Sequence, residues 1–480
     1  MIKMIKRIAF LAVALVLSLA GYLAYYTYEN KNTTIAELDT TVAVEGQDQD
    51  VRVELYSRVW HEKENNPVFV VGELVNKCIN YKIANPEDDD VTIDFAIYRM
   101  EAETACYYIP GTRNYGKVTK LAVDYTEDCE RISYSFVKAA KHGIEVKLLY
   151  HRDAVISSRK LYDHFQKYMD EACFFDETKK VSDFLEVRKA EWPLDNMGSN
   201  QMHNKQLLIS DYLDWDGKVY EDAVFTATSN VDAYNENTNL PISSKDWTHT
   251  GFTISNHEKI YLANVKYFDI TFENYKNRFE FVDVVMAEHA KGDFDQGGLN
   301  YKDDKFECYF TPMPQTYTDL YDLENNPYAY YFERLKNAEG QIKCHMNMYH
   351  PGTSSMMKRL AETLVEAFSN NTTPGNEFGL KQALGLTADH EIYKMLLTIA
   401  DEIGLEKMTH AKDTMMYFEE TDEYITITGS TNLHMGEFAA KSNTMIVFKE
   451  SGDNHEIYDH YLKAYHETTR NKGYGIGSNI

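Results

Sequence analysis

The chain contains His203-Asn204-Lys205 and, after a predicted hairpin, Ala227-Thr228-Ser229-Asn230. The same order returns in the second half as His410-Ala411-Lys412 followed by Gly429-Ser430-Thr431-Asn432. Side chains alternate between the two faces of a strand, so an H-x-K pattern places its His and its Lys on one face. Two similar halves can therefore bring two imidazoles and two ammonium groups to a single anionic group.

Helix and strand patterns alternate around both motifs and predict an α/β fold with an internal duplication. In the first half, a strand, an amphipathic helix and a further strand form a βαβ unit, which implies parallel pairing. Asp216-Gly217 and Thr421-Asp422 predict the hairpin that follows each H-x-K strand. The predicted helices are 68–84, 131–142, 157–173, 354–369, 389–404 and 456–470, and the predicted strands outside the motifs are 91–98, 144–150 and 341–349.

The residue types of the repeated motif suit the cleavage of a phosphodiester. A neutral imidazole can attack phosphorus and form a covalent intermediate, which divides one difficult displacement into two easier steps. A second, protonated imidazole can donate its proton to the leaving alkoxide and later activate water. Ammonium, hydroxyl and amide groups stabilise the charge on the non-bridging oxygens, so we expect neither a metal ion nor another cofactor.

The paired H-x-K segments, each trailed by a small residue, a hydroxyl residue and x-Asn, resemble the phospholipase D superfamily, whose members carry an H-x-K-x₄-D signature twice. The resemblance implies two similar α/β/α sandwich lobes with mixed sheets, related by a pseudo-two-fold axis, with the active site at their interface. It also implies that His203 is the nucleophile and His410 the general acid and then base, although the reverse assignment stays open. The resemblance assigns phosphate binding to Lys205, Lys412, Asn230 and Asn432, assisted by Thr228 and Ser430.

Several positions depart from the signature and leave a catalytically inactive, phosphate-binding relative as an alternative. Ser210 and Tyr417 stand where the signature has aspartate, and Asp211 lies one residue later. Ala227 and Thr228 replace Gly and Ser in the first copy.

The carboxylate that often orients a histidine in this superfamily is also missing from its expected spacing. Pro241 and Asn443 stand at those positions, and Glu236 or Glu437 can substitute for it. The other histidines near the motifs are interpreted as surface or hydrogen-bonded side chains: His151, His249 and His434.

The formal net charge of −26 argues against a general nucleic-acid binder. Such proteins are normally basic, because they neutralise phosphates. An extracytoplasmic exonuclease acting on single-stranded DNA or RNA is therefore the second choice, after an enzyme that acts on phospholipids.

The length of 480 residues predicts two to three domains. We expect a monomer whose two lobes form an internal pseudo-dimer.

The first residues have the pattern of a targeting segment. Lys3, Lys6 and Arg7 precede an uncharged apolar stretch, 8–26, which is long enough for one hydrophobic helix to span a bilayer. Tyrosines at its end favour an uncleaved anchor over a cleaved signal peptide, and both place the body of the chain outside the cytoplasm. The predicted domains are 1–27 for the signal anchor or signal peptide, 28–60 for a stalk, 61–295 for the first lobe and 303–475 for the second.

An oxidising compartment permits disulfides among the six cysteines. Each half of the chain holds an even number of them, and no C-x-x-C spacing indicates a zinc site. The expected pairs are Cys308 with Cys344 and Cys106 with Cys129, with reduced buried thiols as the alternative.

The combined expectation is a membrane-tethered phospholipase D-type hydrolase that acts on phospholipid head groups at a membrane surface through a phosphohistidine intermediate. Transfer of the phosphatidyl group to an alcohol uses the same intermediate, so the sequence leaves hydrolysis and transfer open.

Overall fold

The computed structural model describes residues 33–37, 50–58, 67–101, 131–153, 161–192, 201–231, 248–314, 325–383, 385–405 and 409–468. The predicted anchor, 1–27, lies outside these residues. Within the described ranges, no helix combines the length and the apolar character that a membrane span requires.

The first lobe is built on an eight-stranded mixed sheet. Across the sheet the order is β1-β2-β8-β7-β6-β3-β4-β5, with β3, β4 and β5 parallel and the other pairs antiparallel. The strands are β1 (Thr33–Glu37), β2 (Arg52–Arg58), β3 (Thr92–Met100), β4 (Glu145–Asp153), β5 (Leu185–Lys189), β6 (Lys205–Leu213), β7 (Val219–Ala227) and β8 (His249–Ser255). The helices are α1 (Val68–Ala84), α2 (Ile132–Lys141), α3 (Leu161–Gln166), α4 (Glu258–Glu273) and α5 (Arg278–His289).

The second lobe repeats this sheet strand by strand. Its order is β9-β10-β16-β15-β14-β11-β12-β13, again with one parallel group, β11, β12 and β13, beside antiparallel pairs. The strands are β9 (Tyr301–Lys302), β10 (Phe306–Thr311), β11 (Ile342–Met348), β12 (Glu377–Gln382), β13 (Glu402–Leu405), β14 (Lys412–Phe418), β15 (Glu423–Gly429) and β16 (Asn443–Ser451). The helices are α6 (Pro327–Asn337), α7 (Ser355–Asn370), α8 (Glu391–Leu397), α9 (Met435–Ala440) and α10 (Glu456–Thr468).

The identical strand order confirms that the chain has two similar α/β lobes. Each strand of the first sheet has its counterpart eight strands later, and the motif strands β6 and β14 occupy equivalent central places. Each motif strand continues into a hairpin, β6–β7 and β14–β15, as predicted. Gly217 and Asp422 adopt positive φ angles of 82° and 50° in these two turns, a conformation that glycine and aspartate tolerate better than most residues.

The two lobes share one hydrophobic core. Tyr267 of α4 and Tyr461 of α10 belong to the same buried cluster, which also contains Phe252 from the first sheet and Phe448 from the second. Each lobe has a second core on the opposite face of its sheet, which includes buried residues of α1 and α2 in the first lobe and of α6 and α7 in the second. Helices therefore cover both faces of each sheet.

The proposed disulfide between Cys308 and Cys344 is wrong. The cysteines that the structure describes, including these two, are free and buried. Cys308 lies on β10 and Cys344 on β11, with β14, β15 and β16 between them in the sheet. Four interstrand spacings put their Cα atoms roughly 19 Å apart, whereas a disulfide needs less than about 7 Å. Cys106 and Cys129 lie outside the described residues.

Three predicted boundaries also differ from the structure; the first is the helix predicted over 157–173, whose described part is helical only over Leu161–Gln166. β2 lies inside the expected stalk, 28–60, and pairs with β8, so the first lobe begins before residue 61. Arg52 of this strand forms ion pairs inside the fold, with Glu54 at 2.8 Å and with Asp214 at 2.7 Å. The helix predicted over 389–404 ends at Leu397, and its last residues form β13 beside β12.

Candidate active site

The two H-x-K motifs lie where the lobes meet. The His203 backbone N–H donates to Ser442 O at 2.9 Å, and the His410 N–H donates to Thr248 O at the same distance, 2.9 Å. This reciprocal exchange is the contact that a two-fold relation produces. The side chains predicted for the site are all buried: His203, Lys205, Thr228, Asn230, His410, Lys412, Ser430 and Asn432.

The charged groups of the two motifs act on one another across the lobe boundary. The pKa of His410 falls well below its usual value because of burial first, and then because of Lys412, His249, Lys205 and His203. The imidazoles and ammonium groups of both motifs therefore lie close enough for their charges to affect one another. The structure therefore brings the predicted catalytic residues together.

The hydrogen bonds of His203 define which ring nitrogen carries the proton. Its Nδ1 lies 2.9 Å from Asn443 Oδ1, and the Asn443 Nδ2 donates to Glu437 Oε2 at 3.0 Å. Because a carboxylate only accepts, the amide must turn its oxygen toward His203, and the imidazole must donate from Nδ1. The His203 Nε2 therefore keeps its lone pair, 3.2 Å from Lys205 Nζ.

Glu437 contacts His203 and two polar side chains of the second lobe. Its Oε1 accepts from Lys441 Nζ at 2.6 Å and from Asn432 Nδ2 at 2.9 Å, and its Oε2 lies 3.3 Å from His203 Nδ1. Burial alone would raise the pKa of this carboxyl, but Lys441, His203 and Asn432 outweigh it and hold the pKa well below its usual range. Glu437 is therefore ionised in the buried site.

His410 has different neighbours. The Lys412 Nζ lies 3.4 Å from its Nδ1, so donation by the ammonium leaves the proton of the neutral imidazole on Nε2. The rings of His249 and Tyr349 pack against it with centroid separations of 5.2 and 4.4 Å. His249 begins β8 as Asn443 begins β16, so these two residues hold equivalent places beside the two motif imidazoles.

The site holds several buried basic side chains whose charged forms disfavour one another. Burial and then Lys412 lower the pKa of Lys205 well below its usual value. Burial likewise lowers the pKa of Lys412 to about 7, partly opposed by Glu437 and Asp413. Burial and Lys205 lower the pKa of His203 well below that of a free imidazole. An anion bound among these groups would offset their mutual repulsion, and a neutral ligand would not.

A pair of tyrosines that sequence reasoning missed also lines the site. Tyr98 lies near the end of β3 and packs on His203 with a ring separation of 5.1 Å, as Tyr349 packs on His410. Lys205 Nζ lies 5.6 Å from the Tyr98 ring centre, and Lys412 Nζ lies 5.1 Å from that of Tyr349. A second repeat in the sequence could have indicated these tyrosines: Tyr98-Arg99 and Tyr349-His350 stand at the ends of equivalent strands.

The hydroxyls of Thr228 and Ser430 accept hydrogen bonds from the strand beside each hairpin, β8 in the first lobe and β16 in the second. Thr228 Oγ1 lies 3.1 Å from the Thr250 N–H, and Ser430 Oγ lies 3.2 Å from the Thr444 N–H. Ser430 Oγ also donates to Asn443 Oδ1 at 3.1 Å. Both hydroxyls therefore have backbone partners in this arrangement, and they place the asparagine that follows two residues later.

The replacement of Gly by Ala227 in the first copy has a structural explanation. Ala227 pairs with Gly251 on β8, whereas Gly429 pairs with Met445 on β16. A Cβ at Gly429 would lie 2.3 Å from Thr444 O, and a Cβ at Gly251 would lie 3.0 Å from the Ala227 Cβ. Each ladder thus keeps one glycine at this crossing, but on opposite strands.

Four positions were considered for the carboxylate that orients a histidine, and the structure describes the two in the second half of the chain. Glu437 lies beside His203, and Asn443 lies between them, whereas Glu236 and Pro241 fall outside the described residues. Ser210, which stands at the signature aspartate position, accepts from the Thr92 N–H at 2.9 Å. Within the residues that the structure covers, no cluster of three or more His, Cys, Asp or Glu side chains has the arrangement of a metal site.

Neither a protein-family model nor a curated protein matches the chain. Among solved structures, phosphatidylserine synthase from Haemophilus influenzae superposes with a TM-score of 0.50 at 7% identity, covering 93% of this chain and 90% of that protein. Polyphosphate kinase from Porphyromonas gingivalis gives a TM-score of 0.45 at 11% identity. That match covers 87% of this chain but 50% of the longer kinase. Nuc from Salmonella typhimurium, a phospholipase D family member, gives 0.24 at 12% identity, covering 34% of this chain and 92% of its own. The fold of this chain is phospholipase D-like.

Proposed function

We propose that this chain is a phosphodiesterase that forms a covalent phosphohistidine on His203, with phospholipids as its substrate class. One observation supports the proposal above all: His203 keeps an Nε2 lone pair 3.2 Å from Lys205 Nζ, in a buried site that is rich in basic side chains. A lone pair beside an ammonium group is the arrangement that an attack on an anionic phosphorus requires.

In the first step, the His203 Nε2 attacks phosphorus and the bond to the leaving alkoxide breaks. His410 donates its proton to that alkoxide, so the alcohol leaves neutral and the His410 imidazole becomes neutral. The ammonium groups of Lys205 and Lys412 stabilise the charge on the non-bridging oxygens. The buried amides of Asn230 and Asn432, which end the two hairpins, are proposed as further donors.

In the second step, the neutral His410 removes a proton from water, and the resulting hydroxide attacks the phosphohistidine. The bond between phosphorus and His203 Nε2 breaks, which returns the lone pair to His203 and the proton to His410. The products are an alcohol and a phosphomonoester. An alcohol in place of water gives transfer by the same bond changes.

Three features support phospholipid over nucleic acid as the substrate. The net charge of −26 repels a polyanion over its length, whereas a single diester needs only the local cations. The apolar stretch 8–26 is proposed as a membrane anchor that leaves the body of the chain outside the cytoplasm. Such an anchor would hold the site close to a membrane surface. A neighbour that overlaps nearly the whole of both chains is by its name a phosphatidylserine synthase. The proposed active form is the monomer, because one chain supplies both motifs.

The test uses the full-length chain in detergent micelles, with phosphatidylglycerol, phosphatidylcholine and a labelled single-stranded oligonucleotide as parallel substrates. We expect release of a head group and an acid-labile phosphatidyl group on His203, detected by mass spectrometry of the quenched enzyme. His203→Ala should abolish both signals. His410→Ala should accumulate the phosphoenzyme from a diester with an activated leaving group, because that group departs without an acid.

His390→Ala, which alters the N-cap of the distant helix α8, serves as the matched control and should retain full activity. Cleavage of the oligonucleotide alone would favour the exonuclease. Binding of phosphate without turnover of any substrate would favour an inactive relative. Turnover that survives both His203→Ala and His410→Ala would exclude the proposed mechanism.

A further inference from the structure

A second pair of histidines, His350 and His434, lies beside the site on the second lobe. Their rings stack with centroids 5.7 Å apart and planes inclined by 22°. His350 follows Tyr349, the residue whose ring packs on His410, and His434 stands two positions after Asn432. Both side chains of the pair are only half-buried, so part of each remains accessible beside the site.

The hydrogen bonds of this pair leave N–H groups available to a ligand. His434 Nδ1 accepts from the Gly436 N–H at 3.0 Å, so the proton of the neutral ring is on Nε2. Within the described ranges, neither that Nε2 nor the His350 ring has a hydrogen-bond partner. Because a neutral imidazole always carries one N–H, each ring keeps at least one donor for a ligand.

The strand register shows that His350 is the counterpart of Arg99 in the first lobe. The residues that pair with the two motif lysines are Ile97 in the first sheet and Met348 in the second. Arg99 and His350 each stand two positions after these residues. The duplicated framework therefore carries a basic side chain at this position in both lobes.

Both basic side chains act electrostatically on the site. The pKa of Lys205 is lowered by burial first, and Arg99 is among the cations that lower it further. The pKa of His350 is lowered by burial first and then by His434, and Lys412 lowers it further. Arg99 therefore lies near the motif lysine of its lobe, as His350 lies near the motif lysine of the other.

The proposed mechanism places the histidine pair on the side of the leaving group. In an in-line displacement the attacking and leaving atoms stand on opposite sides of phosphorus. The head group consequently departs on the side of His410, away from His203. Tyr349 packs on His410 and directly precedes His350, so the head group emerges next to the pair.

We propose that His350 and His434 form a specificity site for head groups that carry a second anionic group, a phosphate or a carboxylate. The inference rests on the proposed function and narrows its substrate class. Imidazole N–H groups bind anionic oxygens more strongly than neutral ones, and an anion beside His350 favours the charged form of that ring. The hydroxyls of a neutral head group accept only the weaker, uncharged hydrogen bonds.

The test measures kcat/KM of the full-length chain in detergent micelles for two pairs of phospholipids. Phosphatidylglycerol phosphate differs from phosphatidylglycerol by one phosphate, and phosphatidylserine differs from phosphatidylethanolamine by one carboxylate. We expect the anionic member of at least one pair to be preferred by about tenfold or more, the usual contribution of a hydrogen bond to a charged group. The pair that shows the preference identifies the anion, and the ratio within a pair cancels any general loss of turnover.

Three substitutions separate binding of the anion from support of the fold. His350→Phe keeps a ring that can stack on His434 but removes the N–H, and should lower the preference by about tenfold. His434→Ser keeps a side-chain oxygen that can cap α9 but removes the ring, and should lower the preference by a similar factor. His350→Arg copies Arg99 and should keep the preference at its starting value or above it.

His390→Ser is the matched control, because His390 Nδ1 caps α8 by accepting from the Ile392 N–H, as His434 caps α9. It should leave the preference unchanged, and thermal unfolding of every variant shows which of them fold. If His434→Ser does not fold, His350→Phe and His350→Arg decide the question.

Equal turnover of both members of each pair by the starting chain would overturn the inference. So would a preference that survives in folded His350→Phe, or one that is lost equally in His390→Ser. A starting chain without His203-dependent turnover of any lipid would instead overturn the proposed function.

Discussion

The two halves of the site share a scaffold but differ behind the imidazoles. Tyr98 and Tyr349 pack on the catalytic rings in the same way in both halves. At the equivalent starts of β16 and β8, however, Asn443 faces His203 and His249 faces His410. The strand framework has thus been kept while the residues on the far side of each ring have diverged.

This difference suits two chemical roles. A nucleophilic imidazole becomes positively charged in the covalent intermediate, and the Glu437 carboxylate beside His203 stabilises such a charge. Burial first, and then Lys412 and His249, lower the pKa of His410, so a bound phosphate anion must raise that pKa before His410 can act as the proposed general acid. The same fold can therefore hold a base-like and an acid-like histidine within one small volume.

The largest effect is expected where the halves are alike. Lys205→Met and Lys412→Met each remove one buried ammonium from the phosphate site, and each should lower kcat by about 10²–10³-fold. The losses should be similar, because the two lysines hold equivalent positions. Steady-state kinetics on the best substrate of the panel provides the measurement. A loss confined to one of the two variants would show that the phosphate is held by one lobe.

A second pair of substitutions tests the exchanged glycines. Gly429→Ala should lower the free energy of unfolding by roughly 3 kcal/mol, because its φ is 138° and a Cβ would lie 2.3 Å from Thr444 O. Gly251→Ala should cost about 1–2 kcal/mol, since its Cβ would meet the Ala227 Cβ at 3.0 Å. Urea unfolding followed by circular dichroism measures both. Equal costs would contradict the exchange.

The third test concerns the pH dependence of kcat/KM, which reports groups of the free enzyme. Activity needs protonated His410 and Lys412, and the pKa values of these groups are lowered, that of Lys412 to about 7. Protonation is lost as the pH rises, so activity should fall first where His410 loses its proton, below the usual range of an imidazole, by about tenfold per unit, and more steeply above about pH 7, where Lys412 also loses its proton.

His249→Asp should move this alkaline limb to higher pH, because a carboxylate beside His410 raises the pKa of that imidazole. His249→Asn, which removes a ring that lowers the pKa, is the control and should give a smaller shift in the same direction. A limb that stays at the same pH in His249→Asp would show that His410 is not the group that titrates.

The smallest effect is expected at the tyrosines. Tyr98→Leu and Tyr349→Leu each remove a ring that packs on a catalytic imidazole and lies under a lysine ammonium. The loss of such a cation–π contact costs about 1 kcal/mol, or roughly fivefold in kcat/KM. Phenylalanine at either position keeps the ring face and should retain most of the activity. Unequal losses for the two leucine variants would indicate that substrate contacts one ring more than the other.

Much of the framework could be predicted from the sequence, because it depends on local patterns. The helix Val68–Ala84 follows its apolar spacing residue by residue, and both hairpins follow their turn residues. The duplication is visible because a polar motif that opens a strand and precedes a small-hydroxyl-x-Asn segment rarely occurs twice by chance. The segment after Leu397 was mistaken for helix because Ile399 and Ile403 have helical spacing, although the chain there turns and joins the sheet as β13.

What the sequence could not show is which side chains meet across the lobes. His203 and Asn443 are 240 positions apart, and nothing local to either residue indicates the other. Glu437 was one of two candidate carboxylates, and only the fold brings it to His203. The polar, acidic composition of the segment before residue 61 likewise predicted a stalk and not β2. The partners of Arg52 include Asp214, which is far along the chain, so the local sequence does not show that this strand is buried.

The shared core has a consequence for biosynthesis. Ile457 and Tyr461 of α10 pack in the same cluster as Val53 and Leu55 of β2, and the Thr468 hydroxyl lies 3.3 Å from that of Thr248. A nascent polypeptide cannot complete its amino-terminal half on the ribosome until residues 456–468 have emerged from the exit tunnel. Until then Val53 and Leu55 lack their α10 neighbours, although α4 of the first lobe already packs on the same face of the sheet.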